Sequence, residues 1–156
     1  MYELPSARNG YLAHHVALLT ESYATWLGDE LIDPSLSLEE TARRLFEASF
    51  VVVSHGTQDD PIFNYGNRSA LNLFEMDWQT FTQLPSRYSA EPMNRLERER
   101  LLTAVAKHNF IDDYAGVRIT ATGRRFHIPK AIVWNVIDRD GTYHGQAATF
   151  REWKFL

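Results

Sequence analysis

The amino-acid sequence predicts an α+β fold: a five-stranded antiparallel sheet, helices inserted between its second and third strands on one face, and an N-terminal helical extension on the other. Three observations predict it. Up to about residue 48, apolar residues recur at three- and four-residue spacing. The pattern then changes to two short β-branched or aromatic runs followed by helical pieces. From Tyr114 to Trp153 three strand-like runs are separated by turn residues.

Each element has its own signal. Residues 9–27 form a helix with Asn9 as N-cap, a stripe of Leu12, Val16, Leu19, Tyr23 and Trp26, and Gly28 as stop. Ser37 and Glu40 make a capping box for a second helix to about Ala48, with Leu38, Ala42, Leu45 and Phe46 on its face. Phe50–Ser54 and Ile62–Tyr65 are short strands around a turn cluster. Asn67 caps a helix over Arg68–Phe74, and Asp77 caps a helical turn ending at Phe81. Leu84–Pro92 is an irregular loop. Met93–His108 is a long helix with Leu96, Leu101, Leu102 and Val105 as its stripe. Tyr114–Ala121, Arg125–Ile137 and Thr142–Trp153 form a meander, irregular at Pro129, which has no N–H for the ladder. Ile132, Trp134 and Val136 on one side of the long strand, with Ala131, Val133 and Ile137 on the other, call for cover on both faces. The expected division is an extension over residues 1–48 and a core over 49–156.

Composition narrows the function. With 156 residues and 44% apolar content the chain can build a real core. A net charge of −4 leaves no general footprint for nucleic acid or an anionic membrane. There is no cysteine, which removes disulfides, thiolate metal sites and thiol nucleophiles together. The longest apolar run, Phe50–Val53, is far too short to cross a bilayer, and the opening residues lack a signal-peptide order, so a cytoplasmic location is expected.

The order of elements, with Ile62-Phe63-Asn64-Tyr65-Gly66-Asn67, Ala70-Leu71-Asn72-Leu73-Phe74, and the turns at Thr122-Gly123 and Asp140-Gly141, resembles a PAS domain over about Glu47–Phe150. A longer match is carried by Phe110-Ile-Asp-Asp-Tyr-Ala-Gly-Val-Arg-Ile-Thr-Ala-Thr-Gly-Arg-Arg-Phe126, Ala131-Ile-Val-Trp-Asn-Val-Ile-Asp138 and Gly145-Gln-Ala-Ala-Thr-Phe150. These resemble the PAS-like MEKHLA domain family, found at the C-terminus of plant class III homeodomain-zipper proteins and as free-standing proteins in bacteria and algae. The 156 residues hold no homeodomain, zipper or basic region, so DNA binding is not expected to carry over.

The resemblance implies a small-molecule or dimerisation module. Adduct-type flavin photochemistry and a Cys-linked chromophore are excluded by the missing cysteine. Haem and non-covalent flavin stay open. Haem needs an axial histidine, and His108, ending the long helix, is the best placed of six; the position equally suits the helix dipole. Phe63, Phe74, Phe126 and Trp134 are expected to line a pocket between sheet and inserted helices, with plain core as the alternative. Asn135, in an apolar strand centre, needs a partner, either a ligand or a backbone group. Arg118, Arg124 and Arg125 could clamp a carboxylate or phosphate, or pair with Asp112, Asp113 or Asp138. His55-Gly-Thr-Gln-Asp59-Asp60 has metal-ligand residue types without a recognised spacing and reads as a solvated turn. Asp112-Asp113 and His14-His15 point apart as sequence neighbours, and His144 just past a hairpin is expected to be exposed.

The expectation is therefore a non-enzymatic sensory or interaction module that binds a small ligand and signals through a homodimer or a partner protein. The first helix, with Leu12, Val16, Leu19, Tyr23 and Trp26, would be the dimer surface if it is not fully buried. The alternatives are a ligand-free interaction module, a haem sensor, and a small α+β isomerase or dehydratase with an Asp or His base.

Overall fold

The computed structural model describes residues 2–156. Its helices are α1 (Ala13–Leu27), α2 (Leu38–Glu47), α3 (Arg68–Phe74), α4 (Trp78–Phe81) and α5 (Pro92–His108). Its strands are β1 (Val51–His55), β2 (Phe63–Gly66), β3 (Phe110–Ile119), β4 (Arg125–Ile137), β5 (Tyr143–Phe150) and β6 (Lys154–Phe155). One sheet runs β2-β1-β5-β4-β3, every neighbour antiparallel, and β6 adds a short second partner to the start of β4. The predicted α+β sheet with helices inserted between β2 and β3 is the fold observed.

Asn67 holds the inserted segment in place, and its cap role was legible in the sequence. Its Oδ1 accepts from Ala70 N and from Val52 N, each at 3.1 Å. Its Nδ2 donates to Leu45 O and Phe50 O at 3.0 and 2.8 Å. One buried amide thus caps α3 and ties it to α2 and β1, with all its hydrogen bonds made inside the core.

α1 covers the outer face, where alternation along β4 sends Trp134 and Val136. Trp134 Nε1 donates to Leu19 O at 3.2 Å, and the Tyr23 ring meets Trp134 edge-on. Ser22 Oγ donates to Ile137 O and accepts from Ile137 N, while Trp26 Nε1 donates to Asn135 O. Leu12, Val16, Leu19 and Tyr23 are all buried by this packing. The stripe expected to serve as a dimer surface is therefore consumed by the chain's own sheet, apart from the half-buried Trp26.

Several boundaries differ from the sequence expectation for identifiable reasons. The helix expected from residue 9 is broken: Gly10, Tyr11 and Leu12 are left-handed (φ 62°, 54° and 57°), and α1 begins at Ala13. Asn9 instead accepts from Ser6 N at 3.0 Å, bracing a preceding 3₁₀ turn. β3 starts at Phe110, four residues early, because Asn109 at φ 77° turns the chain directly from α5 into the sheet. Opposite Pro129 the β3–β4 register shifts between Tyr114 and Gly116, the irregularity its missing donor requires. The closing strand stops at Phe150 and resumes at Lys154. The loop Leu84–Pro92 contains a 3₁₀ turn at Ser86–Ser89. Leu38 and Leu96, placed on apolar faces by spacing, are exposed (58% and 60%).

Candidate functional site

The inner sheet face and α5 enclose a cavity of about 80 Å³. Val53, Ala131, Val133 and Ala148 supply apolar sheet wall, and Leu101 and Leu102 of α5 supply the roof. Phe63, Phe74 and Phe150 add aromatic lining. Into this apolar wall project His55, Arg98, Arg118, Gln146 and Tyr114. A few polar groups in an otherwise apolar concavity are the usual make-up of a ligand site.

Arg98 is the unusual member. Its spacing of three before Leu101 and seven before Val105 puts it on the buried face of α5, where it is 7% exposed. It donates from Nη2 to Ser86 Oγ, and among the described residues no carboxylate pairs with it. Burial, then repulsion from Arg118, pulls its guanidinium down to about 10. Arg118 is half-buried, donating from Nη1 to Val117 O at 2.8 Å and from Nη2 to Tyr114 Oη at 3.2 Å. Two guanidiniums therefore face one small cavity with no acidic side chain in its wall.

A chain of hydrogen bonds runs from Arg98 across the inner face. Ser86 Oγ lies 2.8 Å from His55 Nδ1. Burial, then the nearby Arg98 charge, holds His55 down to about 4, so the ring is neutral at physiological pH; Gln146 on its other side opposes this as a hydrogen-bond partner. Gln146 Nε2 in turn donates to Asn135 Oδ1 at 3.2 Å and to Leu102 O at 2.9 Å. Asn135 Nδ2 donates to Val105 O at 3.0 Å. Cavity, sheet and the last turns of α5 thus share one polar network.

The residues singled out from sequence distribute as follows. Phe63, Phe74 and Arg118 line the cavity. Asn135 sits at its edge, satisfied by the α5 backbone, the second of the two partners its sequence position allowed. Phe126 is fully buried beyond the cavity, edge-on to Phe74. Trp134 does not belong there: strand alternation turns it to the opposite face against α1. His108 is exposed at the end of α5, outside the cavity. Arg118, Arg124 and Arg125 do not converge; Arg124 stacks on Phe155 at 3.8 Å and Arg125 pairs with Glu91. His55 was expected in a solvated turn but ends β1 buried, while Asp60 of the same cluster pairs with Arg87. His144 is half-buried with Nε2 2.9 Å from Asp138 Oδ2. Among the described residues no group of His, Asp or Glu is arranged to hold a metal, and no helix is long and apolar enough to cross a membrane.

Sequence reasoning missed His55, Arg98, Gln146 and Ser86. The spacing of Arg98 against Leu101 and Val105 was the one available signal. The others meet only when β1, β5 and the Ser86 turn come together.

This architecture, a five-stranded antiparallel sheet with helices inserted after the second strand and a cavity beneath them, is that of the PAS and LOV sensory domains. A PAS domain from Colwellia psychrerythraea superposes with a TM-score of 0.64 at 12% identity, over 76% of this chain and 96% of that one. A fungal LOV photoreceptor domain superposes at 0.58 and 13% identity, over 90% and 91%. The sequence itself is more specific: the MEKHLA domain profile matches residues 13–155, α1 and α2 included, and the chain belongs to that family. Curated relatives include the homeobox-leucine zipper proteins HOX29 of Oryza sativa subsp. japonica and ATHB-9 of Arabidopsis thaliana, each 24% identical over 88% and 90% of this chain. The chain covers only 16% and 17% of those proteins' length.

The LOV neighbours raise the question of flavin. The residues do not fit it: the chain has no cysteine for an adduct, and 80 Å³ is well below the roughly 300–1,000 Å³ of pockets for drug-sized ligands. Haem fits no better at this volume: His108 is exposed outside the cavity, and His55, the histidine in its wall, is already bonded to Ser86 and Gln146.

Proposed function

We propose that this MEKHLA domain is a non-enzymatic sensory module that binds a small ligand in the cavity between its sheet and α5, and passes the bound state to a second copy or a partner protein. The observation that carries this reading is Arg98, a charge buried in the cavity wall without a carboxylate. Leaving such a charge uncompensated costs several kcal/mol, so a chain that keeps it has a use for it. The small cavity volume favours a compact ligand; benzene occupies an engineered cavity of about 150 Å³ in another protein. Because Gln146 and Asn135 fasten α5 through the network that reaches Arg98, a ligand there has a route to the helix that roofs it. Signalling then requires the ligand to prefer one of two α5 positions. His55 has Ser86 and Gln146 as partners rather than an orienting carboxylate, which supports binding over acid–base catalysis.

The small volume also supports a second reading, a ligand-free interaction module. Native mass spectrometry of the purified protein separates the two, together with an Ala148→Leu variant that fills the cavity. A co-purifying small molecule that is lost in this variant supports the sensory reading. No bound mass, with partner binding unchanged in Ala148→Leu, leaves the interaction module. Light scattering with and without ligand tests the output; a strict monomer throughout removes the dimer and leaves the partner protein.

A further inference from the structure

We infer that the Arg98–Arg118 pair is an anion receptor, and that the ligand is a compact aliphatic monocarboxylate whose carboxylate lies between the two guanidiniums and whose short chain lies against Leu101, Leu102, Val133 and Ala148. The inference rests on the cavity being a ligand site.

Three observations lead to it. The guanidiniums line the same cavity, and each retains N–H groups beyond the few committed to Ser86, Val117 and Tyr114. Neither has an acidic partner among the described residues; of the acids near Arg98, Asp60 is held by Arg87, and Glu99 is exposed and makes no ion pair with it. Like charges held together in an apolar setting repel, and a shared anion turns that repulsion into attraction. The fork of a guanidinium matches a carboxylate's two oxygens, which adds direction to charge.

The rest of the wall selects the body of the ligand. It offers aliphatic side chains, the rings of Phe63, Phe74 and Phe150, and, beside Tyr114, the neutral polar residues His55, Gln146, Ser54 and Ser89, all already bonded within the protein. A second charge on the ligand would find no counterpart there. The 80 Å³ volume suits a carboxylate with a short chain better than a ring system or a nucleotide. A fully hydrated inorganic dianion would leave the apolar wall uncovered. Tyr114 fixes Arg118: its hydroxyl accepts from Arg118 Nη2, and the ring lies so close to Gly116 that any added Cβ there would push it aside.

The test is calorimetric titration of the full chain with sodium propionate, its uncharged isostere propionamide, and inorganic phosphate, with thermal melts alongside. Propionate is expected to bind and raise the melting temperature, and propionamide to do neither. Arg118→Gln should weaken propionate binding by roughly tenfold or more, the loss expected for a charge-assisted hydrogen-bonded contact. Arg98→Gln should do at least as much, and Arg124→Gln, on the surface, should match the unaltered chain. Should Arg98→Gln fail to fold, Arg118→Gln and the propionate–propionamide comparison carry the test. Equal binding of propionamide, tighter binding of phosphate, or undiminished propionate binding in Arg118→Gln overturns the proposal. If propionate fails while native mass spectrometry finds a neutral molecule that Ala148→Leu expels, the carboxylate assignment falls and the ligand site stands. If nothing binds or co-purifies, both fall.

Discussion

Asn135 and Gln146 face each other across β4 and β5, and both spend their amides on the same helix: Asn135 donates to Val105 O, and Gln146 to Leu102 O and to Asn135 itself. Strand-borne amides thus position α5 by hydrogen bonding to its backbone. Asn135→Ala removes the acceptor used by Gln146 and leaves Val105 O with one partner fewer. A loss of roughly 1–3 kcal/mol is expected, read from urea unfolding. A change within about half a kcal/mol, typical of an inert surface site, would show that the helix is held by apolar packing alone.

Gly145 allows β5 to pass β1 at close range. It has φ 119°, and a Cβ there would strike the His55 carbonyl oxygen. Because that obstacle is backbone, it can yield only by parting the strands. Gly145→Ala is expected to cost at least the roughly 1–3 kcal/mol of the strained dihedral, and to disturb the cavity through His55. Normal melting temperature in this variant would contradict the close approach.

Acid should weaken the fold through two histidines. His55 and half-buried His15 are both held down to about 4 from 6.5, chiefly by burial. Between those values the unfolded chain binds the protons that the folded chain refuses. Stability is therefore fully present above about pH 6.5, falls as pH drops from 6.5 to 4, and loses no more from these groups below 4. Each histidine accounts for on the order of 3 kcal/mol across that window. Melting temperatures measured from pH 7.5 to 4 check this, and His15→Gln should flatten part of the slope. A slope identical in His15→Gln would rule that residue out.

Trp134 tests which face does what. Trp134→Phe keeps a ring beside Tyr23 but loses the bond to Leu19 O and part of a fully buried side chain, a cost of roughly 2 kcal/mol or more. Ligand binding in the cavity should be unchanged, since the side chain lies on the far side of the sheet. A weakened ligand affinity would mean that α1 communicates with the cavity.

Much of this could be read from the chain before it was folded. Asn67, Asp77 and Ser37 are caps whose side chains bond three residues onward, and local chemistry alone decides such features. Pro129 marked its own irregularity, and Asn135 announced a buried partner. Trp134 could not be assigned a face, because β4 is apolar on both sides and alternation without a polar side gives no phase. Arg98 was the reverse case: helical spacing placed it inward, but a buried unpaired charge runs against the ordinary rule for arginine.

The sequence by itself determined the order of the main elements, the caps of α2, α3 and α4, the antiparallel α+β class and the family, since these rest on residues near one another in the chain or on an extended motif. Only the tertiary structure decided the cavity. His55, Ser86, Arg98, Arg118 and Gln146 come from five separate segments, and nothing in local spacing reports a distance between segments. The closing of the sheet beneath α5 brings them together, and burial then gives their charges and hydrogen bonds an energy they lack in the open chain.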